Sequence, residues 1–415
     1  MSMDLDSRPG ARGPRGRSRP VTRRGALGVA LGAAVALLVT ACGAAPSSGA
    51  SKGPIKIGMI TSLTGPYTPL GINDRLGAEQ AVNAINKAGG INGRKLQLTV
   101  LDDQTNPTQA VTDLHQLISQ GVVAIDAPVF SSSALAVLPG CEAAKIACVS
   151  NAAADNLVQP PHRYFFITPP TTQIVAQRLL AYMQAKGLTR MAVARDTSAF
   201  PTAGWGNMQQ MAPSYGVHFV ADEIFSLTTT DFSALLAHVK ASGAQGLMVW
   251  GSGPAEVILT QQFRAAGLTI PLLMSHAEAS YLYLKPAGAA GNGVVIAADM
   301  GAVGPQLPSS VPSKSKILSF AQAFQAANGY YPPQFALDGY SAIQLIAAAI
   351  RAKGPTAAGI AAGLNHESVT TVEGTYTYTP TDHSGLVAKD VVITRDVNGS
   401  LELTAFSQRQ LARDF

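Results

Sequence analysis

The stretch AVNAINKAGGINGRKLQLTVLDDQTNPTQAV, residues 81–111, contains the end of one predicted helix, a strand and the start of a second helix. The glycine pair at 89–90 ends the first helix, because glycine readily takes the left-handed conformation that closes a helix. Residues 95–103 alternate apolar and polar side chains, as strands do. Asn106 then provides a helix cap and Pro107 fits the first helical turn. This order of elements predicts part of an α/β fold.

The same alternation of strand and helix continues on both sides of this stretch. Short apolar runs typical of buried parallel strands alternate with amphipathic segments of helical period. The predicted strands include residues 55–60, 122–127 and 146–150 and the runs MAVARD, VHFVADEIF and GLMVWG. The predicted helices include LGAEQAVNAINKAGG, EVILTQQFRAAG and TTDFSALLAHVKASG, the last with Asp231 as its cap. Two successive sets of such βα units predict an α/β protein with two doubly wound lobes.

The N-terminal residues have the composition of an export leader. Seven arginines precede an apolar stretch over residues 26–39, which ends at Val39-Thr40-Ala41-Cys42. A basic segment, a short apolar segment and small residues at a cleavage site are the parts of a secretory signal. The final four residues are similar to a bacterial lipobox. We therefore expect a signal peptide over 1–41, lipid on Cys42 and a flexible tether over 42–53.

Two points about this leader bear on the function. Thr22-Arg23-Arg24-Gly25-Ala26-Leu27 loosely resembles a twin-arginine export signal, so both the general and the twin-arginine export routes stay open. The seven arginines against Asp4 and Asp6 give residues 1–41 a net charge of +5, which equals the charge of the whole chain. The remaining residues are neutral overall. Nucleic-acid binding is not expected, because it requires a basic face on the folded protein.

Cys141 and Cys148 are the other two cysteines of the chain. Export to an oxidising compartment permits a disulfide between them, and a helix over 134–144 followed by a strand over 146–150 would bring them close. A disulfide and two buried thiols both stay open. The intervening sequence supplies neither a base nor a CxxC spacing, so we expect neither cysteine to act as a nucleophile or a metal ligand.

Motifs of catalysis are not apparent in the sequence. It contains no Gly-x-Ser-x-Gly nucleophile elbow and no phosphate loop that ends in Gly-Lys-Ser/Thr. The histidines show no metal-ligand spacing; they are residues 115, 162, 218, 238, 276, 366 and 383. We therefore expect no enzymatic activity, no metal and no cofactor.

Several stretches together resemble a known family. IKIGMITSLTGPYTPLG at 55–71, TTDFSALLAHVKASGAQGL at 229–247 and ALDGYSAIQLIAAAI at 336–350, together with residues 81–111, are similar to the branched-chain amino-acid binding proteins. These are type I periplasmic binding proteins of ABC importers, and the similarity extends from about residue 54 to about residue 400. It implies two Rossmann-like lobes joined by three crossovers, which close on a ligand as a hinged clamp.

The resemblance also implies how the protein is organised and where it acts. The first lobe is expected to comprise residues 54–172 and 301–360, and the second 173–300 and 361–415. The protein would be a lipid-anchored monomer at the outer face of the cytoplasmic membrane, and it would deliver its solute to ABC permease subunits. A ligand sensor of the same fold, acting with a signalling partner, is the alternative of a different class.

Candidate ligand contacts in the first lobe follow predicted strands. In an open α/β sheet, ligands bind beyond the carboxyl ends of the strands. The loop over 64–71 corresponds to one that covers the ligand in the family. A helix start at the serines of 131–133 offers hydroxyls and backbone N–H groups to an anion, although simple helix capping is the alternative reading. The candidate residues are Tyr67, Leu70, Ser131, Ser132, Asn151 and Ala153.

The first lobe departs from the family pattern at one of these positions. The resemblance assigns the ligand's carboxylate to Ser131. Ala153 takes the place of a family threonine that helps to hold the ligand, and Asn151 would compensate for the lost donor.

The second lobe also departs from the family pattern. Phe200 replaces a tyrosine and keeps only the ring, so Trp205 and Tyr215 are candidate substitutes. Trp250 either walls the cleft or belongs to the core. Glu278 and its neighbour His276 lie close to the place of the family glutamate that pairs with the ligand's ammonium. A strict alignment puts Ala277 there. The expected ligand is a branched-chain or related amino acid, with a non-amino-acid carboxylate or an amide as the alternative.

Overall fold

The computed structural model describes residues 53–366 and 368–415. The predicted signal peptide, the lipidation site Cys42 and most of the tether lie outside these residues. Among the described helices, none is both long and apolar enough to cross a membrane.

The elements alternate between strand and helix along most of the chain, as predicted. The strands are β1 Ile55–Thr61, β2 Leu96–Asp102, β3 Ala124–Ala127, β4 Ala147–Ser150, β5 Phe165–Ile167, β6 Arg190–Asp196, β7 His218–Phe225, β8 Gly246–Trp250, β9 Leu272–Met274, β10 Val295–Asp299, β11 Ser368–Thr370, β12 Thr375–Thr377, β13 Val391–Val397 and β14 Ser400–Leu403. The α-helices are α1 Thr68–Lys87, α2 Pro107–Ser119, α3 Ser131–Ala144, α4 Thr172–Ala185, α5 Ala199–Met211, α6 Ser233–Ala241, α7 Pro254–Ala265, α8 Tyr281–Ala287, α9 Lys314–Asn328, α10 Gln334–Lys353, α11 Ala357–Leu364 and α12 Ala405–Asp414.

The first lobe contains a parallel sheet with the strand order β2-β1-β3-β4-β5. Its strands are short apolar runs because both faces are covered by helices. Helices α1, α10 and α11 pack on one face, in the core that contains Ile57 and Met59. Helices α2 and α3 pack on the opposite face, in the core that contains Leu114 and Val137. This arrangement leaves the carboxyl edge of the sheet free for a site.

The second lobe contains a mixed sheet with the order β14-β13-β10-β9-β8-β6-β7. Strands β6 to β10 are parallel, whereas β13 runs antiparallel to β10 and β14 antiparallel to β13. Helices α6 to α9 cover one face, and α4, α5 and α12 cover the other. The predicted α/β class with two doubly wound lobes is confirmed, and the antiparallel β13–β14 addition was not predicted.

The chain passes between the two sheets three times: after β5, after β10 and before β13. Ile360, Leu364 and Tyr376 share a core with β1 of the first lobe, whereas Ile317 and Phe324 share a core with the second sheet. These contacts favour assigning residues 334–386 to the first lobe and residues 301–333 to the second. The division that the sequence predicts, with residues 301–360 in the first lobe and 361–415 in the second, stays a proposal.

Helix boundaries near the site differ in part from the prediction. Asn106 caps α2 as expected, since its Oδ1 accepts the N–H of Thr108 at 2.9 Å. The predicted loop over 64–71 is shorter, because α1 already begins at Thr68, with Pro69 in its first turn. Leu70 therefore lies on a helix. Gly71 allows this turn to approach β1 closely, since a Cβ there would lie 2.1 Å from the carbonyl oxygen of Ser62.

A disulfide joins Cys141, in the last turn of α3, to Cys148 in β4. Their Cα atoms are 6.4 Å apart, within the range that a disulfide spans. The sequence leaves open a disulfide or two buried thiols, and the structure contains the disulfide. The bridge ties a helix to the strand that follows it along the chain.

Candidate functional site

A cavity lies between the lobes, at the carboxyl ends of their strands. We name it the central cavity. It takes residues from loops or helix starts that follow β1, β3, β4, β5, β6, β8 and β9. Its lining residues are Tyr67, Leu70, Val129, Ser131, Asn151, Ala153, Pro169, Phe200, Ser252, His276, Ala277, Gln334 and Phe335. Seven of them are candidates from the sequence: Tyr67, Leu70, Ser131, Asn151, Ala153, Phe200 and His276.

Ser131 is the first residue of α3 and is buried at the cavity wall. The preceding residue, Phe130, provides no side-chain cap to the helix. The first N–H groups of an uncapped helix lack intrahelical partners, and the helix dipole places positive potential there. This end of the cavity is therefore suited to a negatively charged group. Ser131 is the first residue inside the helix, so it does not act as the helix cap, which was the alternative interpretation.

Asn151 lines the cavity, but its side chain is already engaged. Its Nδ2 donates to Asp74 Oδ1 at 2.6 Å and to Asp126 Oδ1 at 2.7 Å, and its Oδ1 accepts from Thr168 Oγ1 at 2.7 Å. Burial raises the pKa of both aspartates well above their usual range. Asn151 therefore has no spare amide hydrogen with which to replace the hydroxyl that is missing at Ala153.

The aromatic candidates of the second lobe divide between cavity and core. Phe200 faces the cavity, with its ring centroid 5.4 Å from that of His276. Trp250 is fully buried behind Phe200, at a centroid distance of 5.5 Å. Trp205 packs against Phe219, also in the core of the second lobe. Neither tryptophan lines the central cavity. Trp250 therefore belongs to the core and does not wall the cleft. Nothing supports the prediction that Trp205 replaces the tyrosine missing at position 200.

Two contacts connect the lobes beside the cavity. The hydroxyl of Tyr67, just before α1, is hydrogen-bonded to the hydroxyl of Ser252, which follows β8. Ser132 Oγ accepts the backbone N–H of Ala199 at 3.3 Å. Ser132 thus lies at the lobe interface and does not line the cavity. These contacts show the lobes closed on each other.

Buried carboxylates from the second lobe surround the Tyr67–Ser252 contact. Glu256 is fully buried, and burial together with the nearby Asp196 raises its pKa to about 8. Burial and the charge of Glu256 raise the pKa of Glu278, whose Oε2 accepts from Ser275 Oγ at 2.9 Å. Neither glutamate forms a salt bridge with a described residue. This side of the cleft is therefore suited to a cationic group from outside the protein.

The surface of the central cavity itself is uncharged. Its only titratable ring nitrogens belong to His276, and burial lowers the pKa of this histidine to about 3, so the ring is neutral. Burial raises the pKa of the Tyr67 hydroxyl well above 10, so it is neutral too. A ligand would meet hydroxyl, amide and aromatic groups, with the carboxylates behind them.

A second, apolar cavity adjoins the first. This side cavity shares Leu70, Ala277 and Phe335 with the central cavity. Helices α7 and α8 contribute most of its other walls, including Val257 and Leu282. Glu278 lines this cavity and not the central one. Apolar and acidic groups therefore lie together on one side of the cleft.

Some residues of the site could not be found from the sequence. Gln334 and Phe335 begin α10, far along the chain from the predicted loops, and reach the cavity only because α10 packs against α1. Glu256 lies one turn inside α7, where an acidic residue is common for other reasons. Ser252 had a usable signal, because it follows β8 directly within GSG.

Comparisons with known proteins agree with this architecture. The sequence model of the periplasmic binding protein family matches residues 54–398. A leucine-, isoleucine-, valine-, threonine-, and alanine-binding protein from Pseudomonas aeruginosa is 26% identical over 309 residues, covering 72% of this chain and 79% of the relative.

Solved structures show the same fold. A leucine binding protein, LivK, from Thermotoga maritima superposes with a TM-score of 0.76 at 20% identity, covering 85% of this chain and 98% of the other. An ABC-transporter solute binding protein from R. palustris, solved with benzoate, gives 0.75 at 21% identity, covering 85% and 95%.

The family match includes strands β1 to β13 and the segments that pass between the lobes. The chain therefore belongs to the periplasmic binding protein family, and its fold is the type I fold of the branched-chain amino-acid binding proteins.

Proposed function

We propose that the protein is an extracytoplasmic solute receptor of an ABC importer that captures an amino acid with an apolar side chain. One observation carries this proposal: the central cavity has an uncapped helix start in its wall, and buried carboxylates without basic partners among the described residues lie behind its lining and in the adjoining side cavity. An amino acid carries the two complementary charges, a carboxylate and an ammonium.

The α-carboxylate would lie at the start of α3. Ser131 offers its hydroxyl there, and the first backbone N–H groups of the helix point out of its N-terminus. Hydrogen bonds to a charged group are among the stronger ones in proteins. The alanine at 153 removes one donor of the family pattern, so the helix start must supply more of the binding.

The α-ammonium would lie on the side of Glu256 and Glu278. Both oxygens of Glu256 and Oε1 of Glu278 lack hydrogen-bond partners among the described residues, and the charge of Glu256 raises the pKa of Glu278. A buried ammonium would relieve this repulsion and favour the ionised carboxylates. The named ligands of the P. aeruginosa relative and of LivK support this assignment.

The side chain of the ligand would enter the side cavity. Leu70 and Phe335 form its entrance and Val257 lies in its wall, so contact there is apolar. Burial of apolar surface contributes about 25 cal/mol per Å². An aliphatic or aromatic side chain is therefore favoured over a polar one.

A second ligand class has its own support. Ala153 and Phe200 lack hydroxyls, and the lining of the central cavity has no charged side chain. A carboxylate or an amide without an ammonium group fits this surface, and the benzoate complex of the R. palustris protein belongs to that class.

Binding would act through lobe closure and without chemistry. A ligand shifts the open and closed populations only if it contacts the two states differently, as one held between both lobes does. Lipid anchoring at Cys42, delivery to permease subunits and a monomeric state belong to this proposal. The sensor function remains the alternative; genes for a permease and an ATPase beside this one would support import.

The test is a thermal-shift screen of the full chain, because a ligand that binds only the folded state raises the melting temperature. Leucine, isoleucine, valine, alanine and phenylalanine would be compared with the same compounds lacking the amino group, with benzoate and with simple amides. Stabilisation by amino acids alone supports the proposal. Stabilisation by the deaminated compounds alone would transfer the assignment to the second ligand class.

A further inference from the structure

Three carboxylates meet between the lobes, away from the lining of the cleft. Asp299 is the last residue of β10 in the second sheet, Asp338 lies in α10 of the first lobe, and Glu373 lies between β11 and β12. Each offers a carboxylate oxygen, and these three oxygens lie within 4.8 Å of one another. The sequence gives no hint of this cluster, because its members come from three distant segments.

The cluster is completely buried, and its oxygens are short of partners. All three residues have 0% exposure. Both oxygens of Asp299, both of Asp338 and Oε1 of Glu373 have no hydrogen-bond partner among the described residues. Glu373 Oε2 is contacted by the Tyr376 hydroxyl at 2.7 Å. Buried carboxyl oxygens without partners are costly and rare, so a group that supplies positive charge or protons is required.

Within the described part of the chain, no basic side chain serves this purpose. Of the described salt bridges, none includes Asp299, Asp338 or Glu373. A proton held by Asp338 and shared with Glu373 would pair one oxygen of each residue, but it would leave both oxygens of Asp299 without a partner. A bound cation satisfies several oxygens at once and also offsets their mutual repulsion.

We propose that Asp299, Asp338 and Glu373 bind a calcium ion that links the two lobes at their hinge. Calcium takes oxygen ligands at roughly 2.3–2.6 Å, so two ligands on opposite sides of the ion lie about 5 Å apart. The observed separation of up to 4.8 Å matches this geometry. Magnesium binds at roughly 2.0–2.1 Å and retains several waters, for which a fully buried site is unsuited.

The ion would stabilise one relative position of the lobes. Asp299 belongs to the second sheet, whereas Asp338 belongs to a helix packed on the first and Glu373 lies between β11 and β12, next to Tyr376 of the first-lobe core. A cation held by all three therefore restrains the hinge independently of any ligand in the cleft.

The first experiment measures calcium binding to the full chain after dialysis against a chelator. Titration calorimetry with CaCl₂ in excess NaCl should give one ion per chain, and the melting temperature should rise at saturation. Asp299→Asn and Glu373→Gln should lose both effects. Asp396→Asn is the matched control, because Asp396 is also buried but lies outside the cluster, and it should bind calcium like the wild type. No calcium binding, tighter binding of Mg²⁺, or unchanged binding in the two cluster variants would overturn the proposal.

A second measurement does not depend on those variants folding. Tb³⁺ replaces calcium at oxygen sites and emits when a tyrosine beside it is excited. Tyr376 contacts Glu373, so wild-type protein should show sensitised emission that CaCl₂ removes. Tyr376→Phe should abolish most of that emission while calcium binding by calorimetry persists. Emission that survives this substitution would place the ion elsewhere and contradict the proposal.

Discussion

The hydroxyl groups of Tyr67 and Ser252 are hydrogen-bonded to each other across the cleft, so the start of α1 in one lobe contacts the loop after β8 in the other. Both side chains are almost fully buried, with 2% and 3% exposure. The contact exists only when the lobes are closed. It therefore stabilises the closed state relative to the open one.

Tyr67→Phe should shift the protein towards the open state and weaken ligand binding. A buried hydroxyl left without its partner costs about 1–3 kcal/mol, which corresponds to roughly a 5- to 100-fold loss of affinity. Small-angle scattering with and without ligand, together with calorimetry, measures both effects. Tyr164→Phe is the control, because Tyr164 lines a different cavity. Equal affinities of the two variants would contradict this role of Tyr67.

Ser131→Ala should weaken the binding of any ligand that carries a carboxylate. The substitution removes a hydroxyl at the start of α3 and leaves the helix N–H groups in place. A hydrogen bond to a charged group contributes about 1.5–3 kcal/mol, so an affinity loss of roughly 10- to 100-fold is expected. Calorimetry compares this variant with Ser119→Ala, which changes an exposed serine at the end of α2. An unchanged affinity would place the carboxylate elsewhere.

Glu278→Gln should reduce affinity for amino acids and leave affinity for the deaminated analogues nearly unchanged. The amide keeps the shape and the hydrogen bond from Ser275 but cannot carry a negative charge opposite an ammonium. We expect at least about a 10-fold loss, as for other charge-assisted contacts. Glu402→Gln, at an exposed position, is the control. A similar loss for both ligand types would show that Glu278 acts on the fold instead of on the ammonium.

The ligand-free protein should become less stable as the pH rises towards 8. Burial raises the pKa of Glu256 from 4.5 to about 8, so between these values the folded state holds a proton that the unfolded state has released. The contribution of this group to stability is complete below about pH 4.5 and is lost as the pH rises through about 8. Urea unfolding at about pH 5 and at about pH 9 measures the difference. Glu256→Gln should reduce it, and an identical pH dependence in the variant would contradict the assignment.

Removal of the Cys141–Cys148 disulfide should destabilise the protein moderately. The bridge closes a short loop, with a sequence separation of 7, for which the chain-entropy account gives about 2–3 kcal/mol. Denaturant unfolding of the Cys141→Ala/Cys148→Ala double variant measures the change, and added reductant should have no further effect on that variant. A double variant as stable as the wild type would show that the bridge contributes nothing.

The fold was largely predictable because buried parallel strands are apolar runs and helix ends carry local signals. Asn106 and the glycines at 89–90 act within a few residues of their own position, so tertiary structure does not override them. The pairing of β13 with β10 depends on residues almost 100 positions apart and has no local signature.

The site was predictable to the extent that it follows from topology. Ser131 and Asn151 come together because each follows a strand of the first parallel sheet, whose carboxyl ends share one edge. His276 follows β9 of the second sheet and lines the same cavity from the other lobe. The orientation of Trp250 was not predictable, because both faces of β8 are buried and alternation cannot identify the face that meets the cleft. The burial of Glu256 depends on packing that no local pattern reports.

The disulfide also has a mechanical consequence for the cleft. α3 begins at Ser131 and β4 ends next to Asn151, so the two elements that carry these groups to the cavity are covalently tied near their far ends. A tie at that position limits how far the two groups can drift apart in the open, empty receptor, which lowers the entropy lost on capture. If the solute binds at Ser131 as proposed, a receptor reduced at this bridge should bind it more weakly, through a change made at the opposite end of α3 from the ligand.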